Sequence, residues 1–143
     1  MLTSSQTDTI ISQAFAHGVS EGLAPLCVAI IDAGGHLLAL RRDHRASIGR
    51  PQIALGKAAG CLSLGVGGRT LAKMAADRPR FVDSLSSVLP NGCVPVPGGV
   101  LIRDDSGTIL GAVGVTGDVS EKDEACAVAG LQAAGLVPDT GAA

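Results

Sequence analysis

The first apolar positions of the chain recur at the spacing of a helix. Steps of three and four residues return to one side of a helix, so the pattern predicts a helix over residues 3–19. Its apolar face carries Ile11, Ala14, Phe15 and Val19. Thr3 is followed three residues later by Gln6, which is typical of a capping box at a helix N-terminus.

Two later segments predict β-hairpins. The predicted strands and turns are 26–31, 32–35 and 36–40 in the first hairpin, and 100–102, 104–107 and 108–115 in the second. The continuous apolar run at 26–31 is typical of a strand covered on both faces. In both hairpins an Asp opens the turn and a Gly closes it three positions later, at a constant offset of 72 residues. Either an ancient repeat or a shared turn type explains this likeness.

The remaining periodic segments predict helices between and after the hairpins. They cover about 51–64, 70–76, 80–88 and 120–134. We expect Thr70 and Ser120 to cap two of them, the latter through Ser120-x-x-Asp123, and Gly135 to end the last one. Helix, hairpin, helices, hairpin and helix together predict one α+β domain over residues 1–143, an antiparallel sheet with helices packed on it.

Composition narrows the class of function. Hydrophobic residues make up 46% of the chain and charged residues only 17%, where about 25% is usual. So few charges favour self-association over a monomer with a polar, uncharged surface. A net charge of −2, with two Phe and no Trp or Tyr, argues against binding of nucleic acid.

The chain carries no sign of export or of a membrane span. Its first residues lack the charged and apolar regions of a signal peptide, and Gly and Pro interrupt the uncharged stretches. The four cysteines form no CxxC motif and have no zinc-finger spacing, so we expect reduced, mostly buried thiols in a cytoplasmic protein.

Several short blocks, taken in order, carry a family resemblance. They are the segment 28–37, the helix with Ala58-Ala59 after Ser47, Thr70-Leu71-Ala72, Pro97-Gly98-Gly99-Val100, the segment 111–117 and the acidic segment 120–125. Together they cover roughly residues 3–136, and their order resembles the GlcG/HbpS family, which includes the C-terminal domain of PduO proteins.

The resemblance implies a fold, an assembly and a ligand. It implies a profilin-like fold, in which helices flank an antiparallel five-stranded sheet. It also implies a homo-oligomer, either a dimer or a larger assembly such as an octamer. Family members are described as binding haem or taking part in its degradation. Haem is therefore the expected cofactor.

A basic segment could hold an acidic ligand. Arg41, Arg42 and Arg50 lie in or near the link after the first hairpin, and arginine binds carboxylates with paired hydrogen bonds. A haem propionate or a small organic acid would suit them. The alternative is a solvated connection.

Glycines supply a second candidate site. At Pro97-Gly98-Gly99, glycine allows a backbone to approach a ligand and proline stiffens the approach, although a structural turn explains the same residues. Farther along, Gly111 and Gly114 favour close packing over phosphate binding, because carboxylates fill the start of the next helix.

Histidines supply the candidate iron ligands, because haem iron readily takes an imidazole. His17 lies near the end of the first helix and is the candidate for the metal, and His44 is a second candidate for the cofactor. His36 begins a strand beside a turn. The alternative for each is an ordinary surface histidine.

We therefore expect a protein that binds haem or another small ligand, in haem handling or in a catabolic operon. The alternative is a small isomerase, hydratase or lyase acting on a carboxylated organic acid. Its acid–base groups would be Asp43, His44, Lys57 and Asp123 beside an arginine clamp.

Overall fold

Each hairpin of the chain lies between helices that cover the sheet. The computed structural model describes residues 1–142. In chain order its elements are α1 (Ser4–Ser20), β1 (Cys27–Asp32), β2 (Leu37–Arg42), α2 (Arg50–Leu64), α3 (Gly68–Asp77), α4 (Pro79–Val88), β3 (Gly99–Arg103), β4 (Ile109–Thr116), α5 (Ser120–Ala133) and β5 (Val137–Asp139).

The five strands form one antiparallel sheet in the order β2-β1-β4-β3-β5. The α+β class and the five-stranded sheet flanked by helices are confirmed. Strand β5 has only three residues and contains Pro138, so its apolar pattern is too short to predict a strand. It forms because Leu101, Ile102 and Arg103 of β3 offer it a free edge.

Helices cover the two faces of the sheet unequally. Helices α1 and α5 pack together on one face, and α2 packs on the other, with α3 and α4 outside it. Alternate residues of β1 enter the two cores, with Val28 and Ile30 facing α1 and α5 and Ile31 facing α2. The prediction that β1 is covered on both faces is confirmed, because its first five residues are all buried.

The two turns are built alike, as their sequences predict. Oδ1 of Asp32 accepts hydrogen bonds from the backbone N–H groups of Gly34 and His36, both at 2.9 Å. Oδ1 of Asp104 accepts from the N–H groups two and four residues after it, again at 2.9 Å. The glycines that close the turns have φ values of 85° and 87°, a conformation that glycine adopts without a steric penalty.

The capping box at the start of α1 is confirmed. The backbone N–H of Gln6 donates to Oγ1 of Thr3 at 3.1 Å, and the N–H of Thr3 donates to Oε1 of Gln6 at 2.9 Å. Gly135 follows the end of α5 with a φ of 74°, as expected for a glycine that ends a helix.

Two predicted caps are wrong. Helix α3 begins after Gly67 and α5 begins after Val119, and neither cap residue forms a side-chain hydrogen bond. Thr70 instead donates to the carbonyl of Gly141 in the C-terminal segment at 3.0 Å. Thr70 and Ser120 thus lie within α3 and α5 and not at their cap positions.

Glycines allow the helices and the sheet to approach closely, as predicted for Gly114. A Cβ atom at Gly114 would overlap the carbonyl oxygen of Ala54 in α2. On the opposite face, a Cβ at Gly130 of α5 would lie 2.5 Å from the carbonyl oxygen of Ile10 in α1. Both approaches are made within the chain.

The four cysteines are buried as free thiols, as expected. Desolvation raises the pKa of Cys27 and Cys126 to about 11 and that of Cys61 to about 12, so these thiols stay protonated at neutral pH. Among residues 1–142, no helix is long and apolar enough to cross a membrane.

Candidate functional site

His17 lies in a depression between the two helices that share a face of the sheet. The end of α1 and the loop after it form one wall, and the first turns of α5 form the other. The cavity has a volume of about 120 Å³ and is lined by His17, Glu21, Leu23, Lys122 and Ala125. His17 is half-buried, and its imidazole joins none of the hydrogen bonds or ion pairs within residues 1–142.

The other two histidines have different surroundings. His36 is 82% exposed, with Nδ1 3.4 Å from Oδ1 of Asp32. His44 is 90% exposed, with Nδ1 3.6 Å from Oδ1 of Asp43. Each therefore stands beside a carboxylate in solvent, whereas His17 is placed in a concave surface.

Asp118 joins the two walls of the depression. Its Oδ2 accepts a hydrogen bond from the N–H of Ala24 at 2.8 Å, and its Oδ1 accepts from the N–H of Val119 at 2.8 Å. The hydrogen bond from Ala24 is the main reason that the pKa of Asp118 is lowered. The nearby Lys122 ammonium lowers this pKa further.

A buried ion pair lies behind the start of α5. Nζ of Lys57 is 3.2 Å from Oδ2 of Asp123 and donates to the carbonyl of Val115 at 2.9 Å, and the side chains of Lys57 and Asp123 are 3% and 1% exposed. Burial lowers the pKa of Lys57 and raises that of Asp123, while their mutual attraction opposes both shifts. Oδ1 of Asp123 accepts the backbone N–H of Asp118 at 2.9 Å.

The structure brings together two of the four predicted acid–base residues. Lys57 and Asp123 are in contact, whereas Asp43 and His44 lie beyond the end of β2. Both carboxylate oxygens of Asp43 bind Arg45, at 3.1 and 3.0 Å. This hydrogen bonding strongly lowers the pKa of Asp43, so its carboxylate is a weak base.

The predicted arginine clamp is divided between the two faces of the sheet. Arg41 pairs with Val28 and Arg42 with Cys27, and successive residues of a strand point to opposite faces. The Arg41 guanidinium stacks on the ring of Phe15, 4.4 Å from its centroid.

The remaining contacts of the basic segment are also within the chain. Arg42 donates to the carbonyl of Ala46 at 2.6 Å, and Arg50 donates to Oγ1 of Thr116 at 2.7 Å. These arginines therefore brace the link between β2 and α2 and the end of β4.

The glycines at 98 and 99 bring the backbone close to α2. Gly98 has a φ of 112°, and a Cβ there would lie 2.8 Å from Nζ of Lys57. A Cβ at Gly99 would lie 2.5 Å from the carbonyl oxygen of Lys57. Pro97 precedes this pair and is half-buried. These two glycines thus bring the backbone close to Lys57 and leave room for its buried ammonium. The approach of this segment to a ligand stays a prediction.

Comparison with known proteins identifies the family. The family model described as "Haem degrading protein HbpS-like" matches residues 2–132. The chain belongs to the HbpS-like family. Among curated proteins, none matches the sequence significantly.

Three solved structures share the fold of this HbpS-like chain. A PduOC–haem complex superposes with a TM-score of 0.84 at 22% identity, over 96% of this chain and 98% of that chain. HbpS superposes with a TM-score of 0.78 at 26% identity, over 92% of this chain and 88% of that chain. Protein ORFY of Klebsiella pneumoniae superposes with a TM-score of 0.82 at 21% identity, over 94% and 90% of the two chains.

The sequence did not predict the other residues that line the depression around His17, which are Glu21, Leu23, Lys122 and Ala125. Glu21, the C-cap residue of α1, lies four residues after His17, and Ala125 lies three residues after Lys122, so each pair lies on one side of its helix. The pattern within each helix was visible in the sequence. The juxtaposition of the HbpS-like α1 and α5 was not, because it depends on packing between residues about 100 positions apart.

We predict that breaking the Lys57–Asp123 pair unfolds the protein more readily. Lys57→Met leaves a buried carboxylate without its cation and should lower the free energy of unfolding by about 3–5 kcal/mol. Replacing both partners, with Lys57→Met and Asp123→Leu, should recover part of this loss. Circular dichroism during urea unfolding measures both effects, since the chain has no Trp or Tyr.

Lys73→Met is the matched control. Lys73 is 78% exposed and pairs with Asp77 in α3, so its loss should change stability by less than about 1 kcal/mol. An equal effect of Lys57→Met and Lys73→Met would contradict the structural role given to the buried pair.

Proposed function

We propose that this HbpS-like protein binds haem with His17 as the axial ligand of the iron. The observation that carries the proposal is the position of His17, half-buried between α1 and α5 with an imidazole free of hydrogen bonds within residues 1–142. Family membership supports it. The structure of the PduOC–haem complex supports it too, because a protein of the same fold binds haem there.

The side chains around His17 suit the parts of a haem. The imidazole can ligate iron, and the apolar groups of Leu23 and Ala125 can contact the porphyrin ring. Lys122 can form a charge-assisted hydrogen bond with a propionate. Bound haem would supply an iron centre that can change oxidation state or take a further ligand.

The depression is too small to enclose a haem alone. Its volume is about 120 Å³, whereas small-molecule sites usually measure about 300–1,000 Å³. A second copy of the chain completes the site in our proposal. Such a homo-oligomer agrees with a charged fraction of only 17% and with the exposed Val19, which is 80% accessible in α1.

The other predicted ligand contacts receive less support. Arg41, Arg42 and Arg50 each have a partner within the chain, and the backbone at Gly98 is packed against Lys57. A carboxylate bound there would have to replace these contacts, whereas a ligand at His17 replaces none of them. We therefore place the haem at His17.

We predict that His17→Ala abolishes or greatly weakens haem binding. Wild-type protein titrated with hemin should show a saturable Soret band, and His17→Ala should weaken binding at least about tenfold, because the iron loses its protein ligand. His36→Ala is the control, since it also removes a histidine but from an exposed turn. Loss of the band in His36→Ala with retention in His17→Ala would overturn the assignment.

We further predict that Lys122 recognises a haem carboxylate. Lys122 is exposed, so Lys122→Ala should weaken hemin binding only about fivefold, the equivalent of about 1 kcal/mol. Haem dimethyl ester carries no free propionate, and the wild type and Lys122→Ala should bind it equally. Lys73→Ala serves as the control for loss of an exposed lysine. An equal loss of affinity for hemin and for its ester would show that Lys122 does not act on a carboxylate.

A further inference from the structure

We propose that Asp118 is a positioning residue that fixes the distance between the two walls around His17. This role rests on the proposed haem site. Asp118 itself does not line the depression, so it would act through the residues that do. A continuous set of hydrogen bonds runs from the α1–β1 loop through Asp118 to the buried pair of Asp123 and Lys57.

The carboxylate of Asp118 connects segments that are far apart in the sequence. One oxygen accepts the N–H of Ala24, 94 residues away, and the other accepts the N–H of Val119 at the entry to α5. Leu23, beside Ala24, lines one wall of the depression, and Lys122 lines the other. A single side chain therefore holds the backbone of both walls.

Asp118 is itself held by the buried ion pair. Its backbone N–H donates to Asp123, whose other oxygen contacts Lys57. Asp123 and Lys57 are 1% and 3% exposed. Because both side chains are buried, they hold the backbone of Asp118 in a fixed position. Just before Asp118, a Cβ at Gly117 would lie 3.0 Å from the Cα of Leu26. The backbone before α5 is thus pressed against the α1–β1 loop.

Packing elsewhere between α1 and α5 does not depend on Asp118. The close contact of Gly130 with Ile10 lies near the middle of α1, about two helical turns from His17. The two helices run antiparallel, since Ile10 meets Gly130 while His17 meets the start of α5. Loss of Asp118 should therefore loosen the His17 end of the helix pair while the Gly130 end stays packed.

Asp118→Ala tests this role by removing both hydrogen bonds to the walls. It should weaken hemin binding about fivefold or more, the value of one net hydrogen bond of about 1 kcal/mol. Asp104→Ala is the matched control, because Asp104 also accepts two backbone N–H groups but in the distant β3–β4 turn. Asp104→Ala should lower the melting temperature about as much as Asp118→Ala does, but it should leave the affinity for hemin unchanged.

Asp118→Asn separates positioning from charge. Asn keeps one side-chain oxygen that can accept the Ala24 N–H across the two walls, whereas its NH2 group cannot accept from Val119, and the negative charge beside Lys122 is removed. The positioning role predicts that Asp118→Asn retains most of the hemin affinity that Asp118→Ala loses. Equal losses in both variants, or equal affinity of Asp118→Ala and Asp104→Ala, would overturn it. Even if the positioning role of Asp118 is overturned, abolished hemin binding in His17→Ala would continue to support the haem site.

A measurement on the haem-free protein tests the same role independently. Nitroxide labels introduced through Glu21→Cys and Ala125→Cys report the distance across the depression, since both positions are exposed and the native cysteines are buried. Asp118→Ala should broaden the distance distribution, and Asp104→Ala should leave it unchanged. An unchanged distribution in Asp118→Ala would overturn the inference, whether or not the wild type binds hemin.

Discussion

The buried contact between Lys57 and Asp123 is the constraint on which the arrangement of this protein depends. Lys57 belongs to α2 on one face of the sheet, and Asp123 belongs to α5 on the other. The ammonium also binds the backbone of β4, beside a glycine that leaves space for it. Two charges this deeply buried are tolerated only when they are paired. The pair therefore fixes how the start of α5 is placed against the sheet, and through Asp118 it also fixes the loop after α1.

The same constraint shapes the depression that we propose as the haem site. The chain has few charges and few aromatic side chains, so a deep aromatic pocket is not available to it. What it has instead is a depression lined by the imidazole of His17, the charged groups of Glu21 and Lys122, and the apolar side chains of Leu23 and Ala125. A flat ligand with its own iron and carboxylates suits such a surface, particularly when a second subunit covers the exposed side of the ligand. The chemistry of the site then comes mainly from the ligand, and the protein contributes orientation.

Sequence reasoning predicted the fold better than the site, for physical reasons. The hairpins, the capping box at Thr3 and the glycine after α5 depend on neighbours within a few residues, and each is found as predicted. The predicted caps at Thr70 and Ser120 are wrong because both residues lie inside their helices, one or more positions past the cap. At the start of α3, the N–H of Arg69 donates to the distant carbonyl of Thr140. Adjacency in the sequence predicts that Arg41 and Arg42 act as one clamp, yet adjacent residues of a strand lie on opposite faces of the sheet. Lys122 and Asp118 matter only because α5 meets the end of α1, and periodicity within one helix does not specify its partner.

Anomalous scattering at the iron edge, from crystals grown with hemin, tests the central claim most directly. It locates the iron without assuming which residue binds it. We expect an iron peak beside the imidazole of His17, in the depression between α1 and α5, with a second copy of the chain covering it. A peak beside His36 or His44, or beside the basic segment at Arg42 and Arg50, would contradict it.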